Sequence, residues 1–476
     1  MMRSPGEAGD LAEYLVVDRS SQMLVAVGWV VCCAVWTAYL LAFWPGFLTE
    51  DSVDQWSQAL SGTFRNEHPV SYAMVARLLT RIWASPAAVA FSQILLLSSA
   101  VALAARELLR WRAPYWVVIA TLGLIVLSPV TGLMTITLWK DLPYSAMLVV
   151  LFVVTMRLVA TRGTWVKGVP GAITLVSALC LLSLLRHNGQ FVALVALVAM
   201  TLIWRGLWRR FALVGLTCAA VVLLMQGPIA KALQIAPINP YFLLANQTHQ
   251  LAAILHDGAT LTEEEKAVVA GVMPLDEWVS SYSCCTVMPT FARGNQALVT
   301  QNFNAYLRTV ASLAVRHPGA LLRRQACVSS SVWYPAERTG CPTFTFYPGI
   351  VPNDAGLQAE SKAPALQATL AQIAADSQTA GNKEIFWRPA VYLYLHLLCV
   401  AVAAARLRRL DVLMLALSAG ANALVLLALS TVQDFRFHYG LCLIAMLSPA
   451  LLFVPFPLER RLAHSRGGDA TRVPVA

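Results

Sequence analysis

The hydrophobic pattern divides this chain into runs of apolar residues, separated by short polar loops and by one long polar segment. Ten runs are apolar enough to be read as membrane-spanning helices, and several lie at the short end for a bilayer. They cover residues 22–44, 86–105, 114–130, 143–159, 169–185, 191–204, 211–225, 389–405, 410–429 and 441–456. The pattern therefore predicts an all-α polytopic membrane protein with about ten transmembrane helices.

The order of these runs also predicts the domain organisation. The segments are a cytoplasmic tail (1–21), seven helices (22–225), a domain (226–388), three helices (389–456) and a second cytoplasmic tail (457–476). The long segment contains no convincing span and is large enough to fold by itself. It mixes turn-rich stretches with helix signals, such as the capping-box spacing of Thr262 and Glu265. We expect a mixed, mainly helical extracytoplasmic domain there.

Composition and charge agree with a membrane location. The chain is 58% hydrophobic and 13% charged, whereas about a quarter of the residues of a soluble domain are charged. Basic residues follow every second run: Arg106, Arg110, Arg112, Arg157, Arg162, Lys167, Arg205, Arg209, Arg210, Arg406, Arg408, Arg409, Arg460, Arg461 and Arg466. The positive-inside rule then places both termini in the cytoplasm and the loops after the odd-numbered runs outside. Topology explains the net charge of +10, so no nucleic-acid partner is expected.

Acidic residues gather in the first outward loop, which we place at 45–85. Glu50, Asp51 and Asp54 lie near a membrane boundary, where ionisable groups need water, a partner or a function. The cluster predicts a catalytic site. The alternative is a solvated loop in which these acids cap a short helix through Gln58. Residues 70–83 are read as an interfacial helix or as a re-entrant piece packed inside the protein.

The other short outward loops carry mostly basic and amide groups. These candidates are His68 in the first loop, Lys140 and Asp141 in the second, Arg186, His187 and Asn188 in the third, and Arg436 and His438 in the last. Simpler interpretations remain open. Asp141 caps its helix or pairs with Lys140, Arg186 snorkels to the interface, and Asp434 forms an exposed ion pair with Arg436.

Four of the ten cysteines lie in the long outward segment, namely Cys284, Cys285, Cys327 and Cys341. A bond between the two adjacent cysteines is geometrically unfavourable. In an oxidising compartment we therefore expect two disulfides that join Cys284 and Cys285 to Cys327 and Cys341, with the pairing left open. The spacing does not match the usual zinc ligand patterns.

Four short motifs carry a resemblance to a known family. They are PGFLTEDSVDQW with HPVSY in the first outward loop, WKDLPYS in the second, LLRHNG in the third and FRFHY in the last. In this order, and together with the large outward segment, they resemble the glycosyltransferase C (GT-C) superfamily, which includes protein O-mannosyltransferases and lipid A aminoarabinose transferases. The similarity is greatest to a bacterial branch of multi-spanning proteins. It covers the membrane portion well and the long outward segment loosely.

The resemblance implies a GT-C-like fold in the bacterial cytoplasmic membrane, a polyprenyl-phosphate sugar donor and inversion at the anomeric carbon. Asp51 matches the acid of the first loop and would be the base. Glu50 and Asp54 would raise its pKa by like-charge repulsion or help to hold a divalent metal ion, with Asp51 and Asp141 as the metal ligands. Lys140, Arg186 and Arg436 would contact the phosphate, and the remaining polar residues would line the pocket. Glu50 precedes Asp51, whereas better-known branches have Asp before Glu, so either carboxylate is a candidate base.

Three functions are weighed from these observations. The first is a membrane glycosyltransferase that moves a sugar to an extracytoplasmic glycan, lipid or protein. The second is a transporter or flippase of lipid-linked glycans, which would require charged or helix-breaking positions in mid-span. The third is a polymerase or ligase of surface polysaccharide, which would depend on Arg186 and Arg436 rather than on Asp51.

Overall fold

A computed structural model describes residues 18–455, and within this range the chain forms helices and isolated bridges but no strand of a sheet. The helices outside the 226–388 segment are α1 (Arg19–Ala42), α2 (Glu50–Ser61), α3 (Val70–Ile82), α4 (Pro86–Arg110), α5 (Tyr115–Leu127), α6 (Pro129–Thr135), α7 (Asp141–Ala160), α8 (Val169–Leu185), α9 (Gly189–Ile203) and α10 (Trp208–Leu224). The helices α11 to α15 belong to that segment and are given below. After it come α16 (Pro389–Leu407), α17 (Leu417–Leu429) and α18 (Tyr439–Leu447), with 3-10 turns at Leu410–Ala416, Phe435–His438 and Ser448–Phe453.

Within residues 18–455, seven helical segments are long and apolar enough to cross a membrane. A further pair, α5 and α6, passes the same test together but bends by 58° at Ser128, and α8 and α9 are shorter apolar helices. Each of the ten predicted runs coincides with one of these segments. The protein is thus an all-α, multi-pass membrane protein, as the hydrophobic pattern predicts. Residues 1–17 and 456–476, and with them the predicted positions of both termini, lie outside the described residues.

The helix α7 is the centre of the bundle. Of the most apolar 18-residue stretch of α7, 89% is buried inside the protein. For the corresponding stretch of the segment Arg205–Ala232, which lies at the periphery, the share is 17%. The helix contacts α4, α8 and α18, and its side chains are buried on every face. A helix that is apolar all round belongs in the interior, so this arrangement follows from the sequence of α7. Its first residues, which include Asp141, are thereby fixed by the core.

Polar side chains meet at both ends of the bundle. At one end, which we call the arginine end, buried Glu107 contacts Arg110 and Arg157 at 3.0 Å each. Arg409 donates to the carbonyl oxygen of Val159 there at 2.6 Å. The opposite end contains residues 43–85, 136–140, 186–188 and 430–438, and we call it the Asp51 end.

The first loop forms two helices at the Asp51 end. The acidic helix α2 begins at Glu50 and ends at Gly62 in a left-handed conformation. A helix through Gln58 is thus present, but its N-cap residue Thr49 makes no side-chain capping hydrogen bond. The next helix, α3, buries Tyr72, Ala73 and Ala76 and leaves Leu78 and Ile82 exposed. It therefore packs one face on the protein and keeps apolar side chains on another.

The 226–388 segment has a hydrophobic core of its own, which includes Tyr241, Trp278, Tyr306 and Leu313. Its longer helices are α11 (Ala245–His256), α12 (Glu263–Val272), α13 (Phe303–Arg316), α14 (Pro318–Val328) and α15 (Pro364–Asp376). Shorter helical turns cover Pro240–Leu243, Leu275–Ser280, Met288–Arg293, Gln296–Gln301, Ser330–Trp333 and Asn382–Phe386. The predicted capping box of Thr262 and Glu265 is present at the start of α12.

Two disulfides connect parts of this segment to one another, and short backbone pairings fasten it to the Asp51 end. Cys284 is bonded to Cys327, and Cys285 to Cys341. Beyond the second disulfide, Phe344 pairs with Asp434 and Ile350 pairs with Leu48 as isolated bridges. We call residues 341–351 the strap, because they connect the cystines to the first and last loops of the bundle.

Candidate active site

The Asp51 carboxylate stands at the centre of a cluster of cationic side chains from three different loops. Its Oδ2 accepts a hydrogen bond from Arg436 Nη1 at 2.8 Å and lies 3.8 Å from Lys140 Nζ. Its Oδ1 is 3.4 Å from His68 Nε2. The side chain is 28% exposed, so it is accessible as well as paired. A carboxylate and positive groups therefore converge on one point that remains open to a ligand.

Local backbone contacts explain why Asp51 meets Lys140. Phe47 donates its backbone N–H to Ile136 at 3.0 Å, and Leu138 donates to Phe47 at the same distance. One residue further on, the Trp139 indole donates to Thr49 Oγ1 at 2.8 Å. The loops before α2 and before α7 are thus joined side by side. The first turn of each helix consequently presents its polar residues to the other.

Arg436 is held by a second carboxylate and by two aromatic rings. Its Nε lies 2.8 Å from Asp434 Oδ2, and its guanidinium stands 5.0 Å from the Trp139 ring centre and 5.2 Å from that of Phe437. A guanidinium that lies against two aromatic rings and is paired with two carboxylates, Asp434 and Asp51, has little rotational freedom. The direction in which Arg436 faces Asp51 is therefore fixed.

Arg186 is held in the same manner, by a carboxylate and the Phe437 ring. It pairs with the fully buried carboxylate of Asp141 and donates its Nε–H to Asn188 Oδ1 at 3.0 Å. Its guanidinium is 4.2 Å from the Phe437 ring centre. The sequence left open that Asp141 caps its helix or pairs with Lys140. Neither interpretation describes its main contact, because Asp141 Oδ1 binds Arg186.

The charges around Asp51 set its protonation state. Burial favours the neutral acid, but His68, Lys140 and Arg436 together outweigh this effect and hold the pKa of Asp51 well below its usual range. This direction is opposite to the one expected from repulsion by Glu50 and Asp54. The reason is that the structure surrounds Asp51 with basic side chains, whereas Glu50 and Asp54 are not among the main causes of the shift.

The neighbours of Asp51 respond in different directions. Burial lowers the pKa of Lys140, although Asp141 and Asp51 oppose this effect. Burial also lowers the pKa of His187, so its neutral form is favoured. For Asp434, burial raises the pKa to about 6 despite the adjacent Arg436. The site thus has an ionised carboxylate (Asp51) beside a lysine that loses its proton more readily than usual.

Some predicted site residues lie elsewhere. Glu50 is exposed at the start of α2. Asp54 pairs with Arg65 and accepts a hydrogen bond from Gln58 at 2.7 Å, and neither contact involves the cationic cluster. His187 Nε2 is 3.2 Å from the carbonyl oxygen of Asn66, at the edge of the first loop. His438 is buried below Arg186 and Arg388.

The donor set does not suit a divalent metal ion at Asp51 and Asp141. Magnesium and calcium require six or more oxygen ligands, and here each carboxylate is already bound to a cationic side chain. Asp141 Oδ2 is buried beside Arg186 and Lys140 and has no hydrogen-bond partner among the described residues. In residues 18–455, four cysteines are the one group with metal-ligand spacing, and both disulfides use them.

Three residues of the site escaped the sequence analysis. Asp434 looked like an exposed partner of Arg436, but it is only 4% exposed. Trp139 and Phe437 each adjoin a predicted cationic residue in sequence, and both prove to be rings on which guanidinium groups stack. The position of each aromatic residue next to a basic loop residue could have indicated this stacking. The burial of Asp434 could not be predicted from the sequence.

Comparisons with known proteins give few matches. The sequence profile of a family of unknown function (DUF6020) matches residues 66–300, a range that includes Lys140 and Arg186 but neither Asp51 nor Arg436. No curated protein matches. Among solved structures, that of ArnT from Cupriavidus metallidurans in the apo state is similar, with 16% sequence identity over 90% of this chain and 78% of that chain and a TM-score of 0.35.

Proposed function

We propose that the protein is an integral membrane glycosyltransferase that moves a sugar from a polyprenyl-phosphate donor to an extracytoplasmic glycan, lipid or protein acceptor. One observation carries the proposal, namely the convergence of the Asp51 carboxylate with Arg436 and Lys140. A carboxylate can remove a proton from an acceptor hydroxyl, while fixed cations stabilise the charge that develops on a departing phosphate. The cluster lies at the end of an apolar bundle, where a lipid-linked donor would present its phosphate.

The proposed reaction is an inverting displacement at the anomeric carbon. The acceptor oxygen forms a bond to this carbon as its proton passes to Asp51. The bond from the carbon to the phosphate oxygen breaks, and its electron pair stays on that oxygen. The donor phosphodiester thereby becomes a monoester with one more negative charge, which Lys140 and Arg436 stabilise. No redox partner is required.

Donor binding would also activate the base. In the free protein, His68 and the two cations Lys140 and Arg436 hold the pKa of Asp51 low, which makes it a weak base. A phosphate that binds the same two cations would share their charge and relieve this effect. The pKa of Asp51 would then rise when the donor is present, so that the carboxylate becomes a stronger base only in the loaded site.

The other predicted residues have roles that fit their positions. We assign the Arg186 guanidinium, anchored by Asp141 and Asn188, to the phosphate side of the site. His68 lies beside Asp51 and would orient its carboxylate, while His187 and His438 line the surrounding walls. On the positive-inside rule, the arginine end is cytoplasmic and this site faces outward.

The test is transfer of a radiolabelled sugar from polyprenyl-phosphate donors by the purified protein. We expect Asp51→Asn to lose about 10²- to 10⁴-fold in rate, which is the usual contribution of a general base. The neighbouring change Glu50→Gln removes an exposed carboxylate and should retain most of the activity. Both variants should keep the size-exclusion profile and melting temperature of the wild type.

Other outcomes would redirect the assignment. Loss of transfer in Glu50→Gln but not in Asp51→Asn would make Glu50 the base. Full transfer by Asp51→Asn with loss in Arg436→Gln would favour a polymerase or ligase of surface polysaccharide. If the wild type transfers no sugar from any polyprenyl-phosphate donor, the proposal fails, and a flippase assay on lipid-linked glycans would be the next experiment.

A further inference from the structure

Asp434 is a buried carboxylate that no step of the proposed reaction uses. It is 4% exposed and comes from the last loop of the bundle, two residues before Arg436. Its Oδ1 accepts the backbone N–H of Arg436 at 3.0 Å, and its Oδ2 lies 2.8 Å from the Nε of the same residue. One carboxylate therefore holds both the backbone and the side chain of Arg436. A buried charge of this kind requires a charged partner, and Arg436 provides it.

Arg436 connects this carboxylate to the reactive one. Its Nε faces Asp434, whereas its Nη1 donates to Asp51 at 2.8 Å. The Nε and Nη1 atoms belong to one rigid group, so an ion pair that anchors the Nε side limits where the Nη1 donor can point. The Trp139 and Phe437 rings lie 5.0 and 5.2 Å from the group. Without Asp434, the group would keep these rings and its bond to Asp51, but it would lose the ion pair at its Nε side.

The backbone that carries Asp434 is itself held from both sides. Gln433 donates its N–H to the carbonyl oxygen of Cys285 at 3.0 Å. On the other side, Phe344 of the strap donates to Gln433 at 3.1 Å and accepts from Phe435 at 2.8 Å. The Gln433 side chain donates to the carbonyl oxygen of Cys327 and to Ser330 Oγ, each at 2.9 Å. Such a supporting frame is what precise positioning of a side chain requires.

We propose that Asp434 is a positioning residue that aims Arg436 at Asp51 and at the leaving phosphate. This inference rests on the proposed transferase function. Asp434 itself does not touch the reacting atoms, because its oxygens face Arg436 and its side chain is shielded from solvent. Its effect on the reaction passes through Arg436 alone.

The experiment compares Asp434→Asn, Arg436→Lys and the double variant in the transfer assay, with the full-length protein in detergent. Asparagine keeps the size of the side chain and one acceptor oxygen but removes the charge. We expect Asp434→Asn to lower kcat by about 10²-fold, the order of loss produced by a small misplacement of a catalytic group. In the Arg436→Lys background the same change should lower kcat by no more than about twofold, because the group through which it acts is already altered.

A matched control is available at the arginine end. Asp411 and Arg409 form an ion pair at 2.6 Å with the same spacing of two residues, but far from the site. We expect Asp411→Asn to leave the transfer rate unchanged. Melting temperatures of all variants report whether the fold is intact.

A pH profile gives a second readout that a purely structural role would not change. The charged groups that face Asp434 are Arg436 on its own segment, Asp51 on α2 and Asp141 on α7. Burial raises the pKa of Asp434 to about 6, so wild-type kcat should fall as the pH drops through this value and the ion pair is lost. The pKa of Asp51 lies far lower and does not cause this fall in kcat at acid pH, which we call the acid limb. The Asp434→Asn variant should show no acid limb.

The outcomes separate the two proposals. Normal transfer by Asp434→Asn, or equal losses from this change in the wild-type and Arg436→Lys backgrounds, would overturn the positioning role and leave the transferase function in place. If Asp434→Asn does not fold, the experiment uses Asp434→Glu instead. If this variant folds and both its kcat and its acid limb match the wild type, the positioning role of Asp434 is likewise overturned. Absence of transfer by the wild type would overturn both proposals.

Discussion

Lys140 differs from the two arginines of the site in how firmly it is held. Arg186 and Arg436 each have a buried carboxylate of their own, Asp141 and Asp434 respectively. The nearest carboxylate oxygen to Lys140 Nζ is that of Asp51 at 3.8 Å, which is beyond hydrogen-bonding distance. The arginines thus serve as fixed charges. The lysine is the cation that can most readily turn toward an incoming phosphate.

This difference predicts an alkaline limb in the pH dependence of kcat/KM, which reports the free protein. Burial lowers the pKa of Lys140, so the lysine should lose its charge, and the protein its donor affinity, at a pH below the ordinary lysine value of about 10.4. Lys140→Arg stays charged throughout this range and should shift the limb to higher pH. The measurement is kcat/KM for the donor between neutral and alkaline pH.

The control for this prediction is Lys167→Arg, a change of an exposed lysine at the arginine end that should leave the profile as in the wild type. If Lys140→Arg and the wild type show the same alkaline limb, Lys140 is not the group that titrates.

At the scale of elements, the turn between α8 and α9 depends on a close approach at Gly189. A Cβ at this position would lie 1.9 Å from the carbonyl oxygen of Leu182 and 3.1 Å from the Tyr144 ring. Both neighbours belong to packed membrane helices and cannot move freely. Only glycine therefore allows α9 to start so close to the last turn of α8, and this closeness sets the direction of Arg186.

Gly189→Ala should consequently destabilise the protein by about 1–3 kcal/mol, as overpacking usually does, and should lower sugar transfer by displacing Arg186. Gly420→Ala in α17 is the matched control, because no heavy atom lies within 4 Å of its added Cβ. The checks are the melting temperature in detergent and the transfer rate. Equal behaviour of the two variants would contradict the close-approach argument.

The two disulfides lie within the long segment and hold together the stretches that contact the last loop. Cys285 accepts a backbone hydrogen bond from Gln433, and Cys341 opens the strap that pairs with Asp434. The double change Cys285→Ser/Cys341→Ser removes one disulfide, which commonly contributes about 2–4 kcal/mol to stability. We expect a marked loss of transfer with little change in helix content, measured by circular dichroism.

Cys180→Ser provides the control for this variant, since Cys180 is a free cysteine within α8 and lies outside both disulfides. Full transfer after removal of the Cys285–Cys341 bond would mean that the strap does not support the site.

On the scale of the whole molecule, the sequence predicted the helices well because a lipid bilayer imposes a strong constraint on hydrophobic runs. It also predicted that Asp51, Lys140, Arg186 and Arg436 lie at one end. It could not predict how they pair, since Asp141 to Arg186 and Asp51 to Arg436 are contacts between distant parts of the chain. The sign of the Asp51 pKa shift was missed for the same reason, because Lys140 and Arg436 come from other loops.

The orientation of the protein in the membrane is a prediction that concerns the whole molecule. Arginine clusters place the arginine end in the cytoplasm, so the Asp51 end should face outward. Single-cysteine accessibility tests this with two exposed positions, Thr63 after α2 and Lys167 before α8. A membrane-impermeant maleimide should label Thr63→Cys in intact cells and Lys167→Cys only after permeabilisation. Labelling of the wild type measures the background from the native free cysteines, all of which lie within the apolar helices. The reverse labelling would place the site in the cytoplasm, and an extracytoplasmic acceptor would then be impossible.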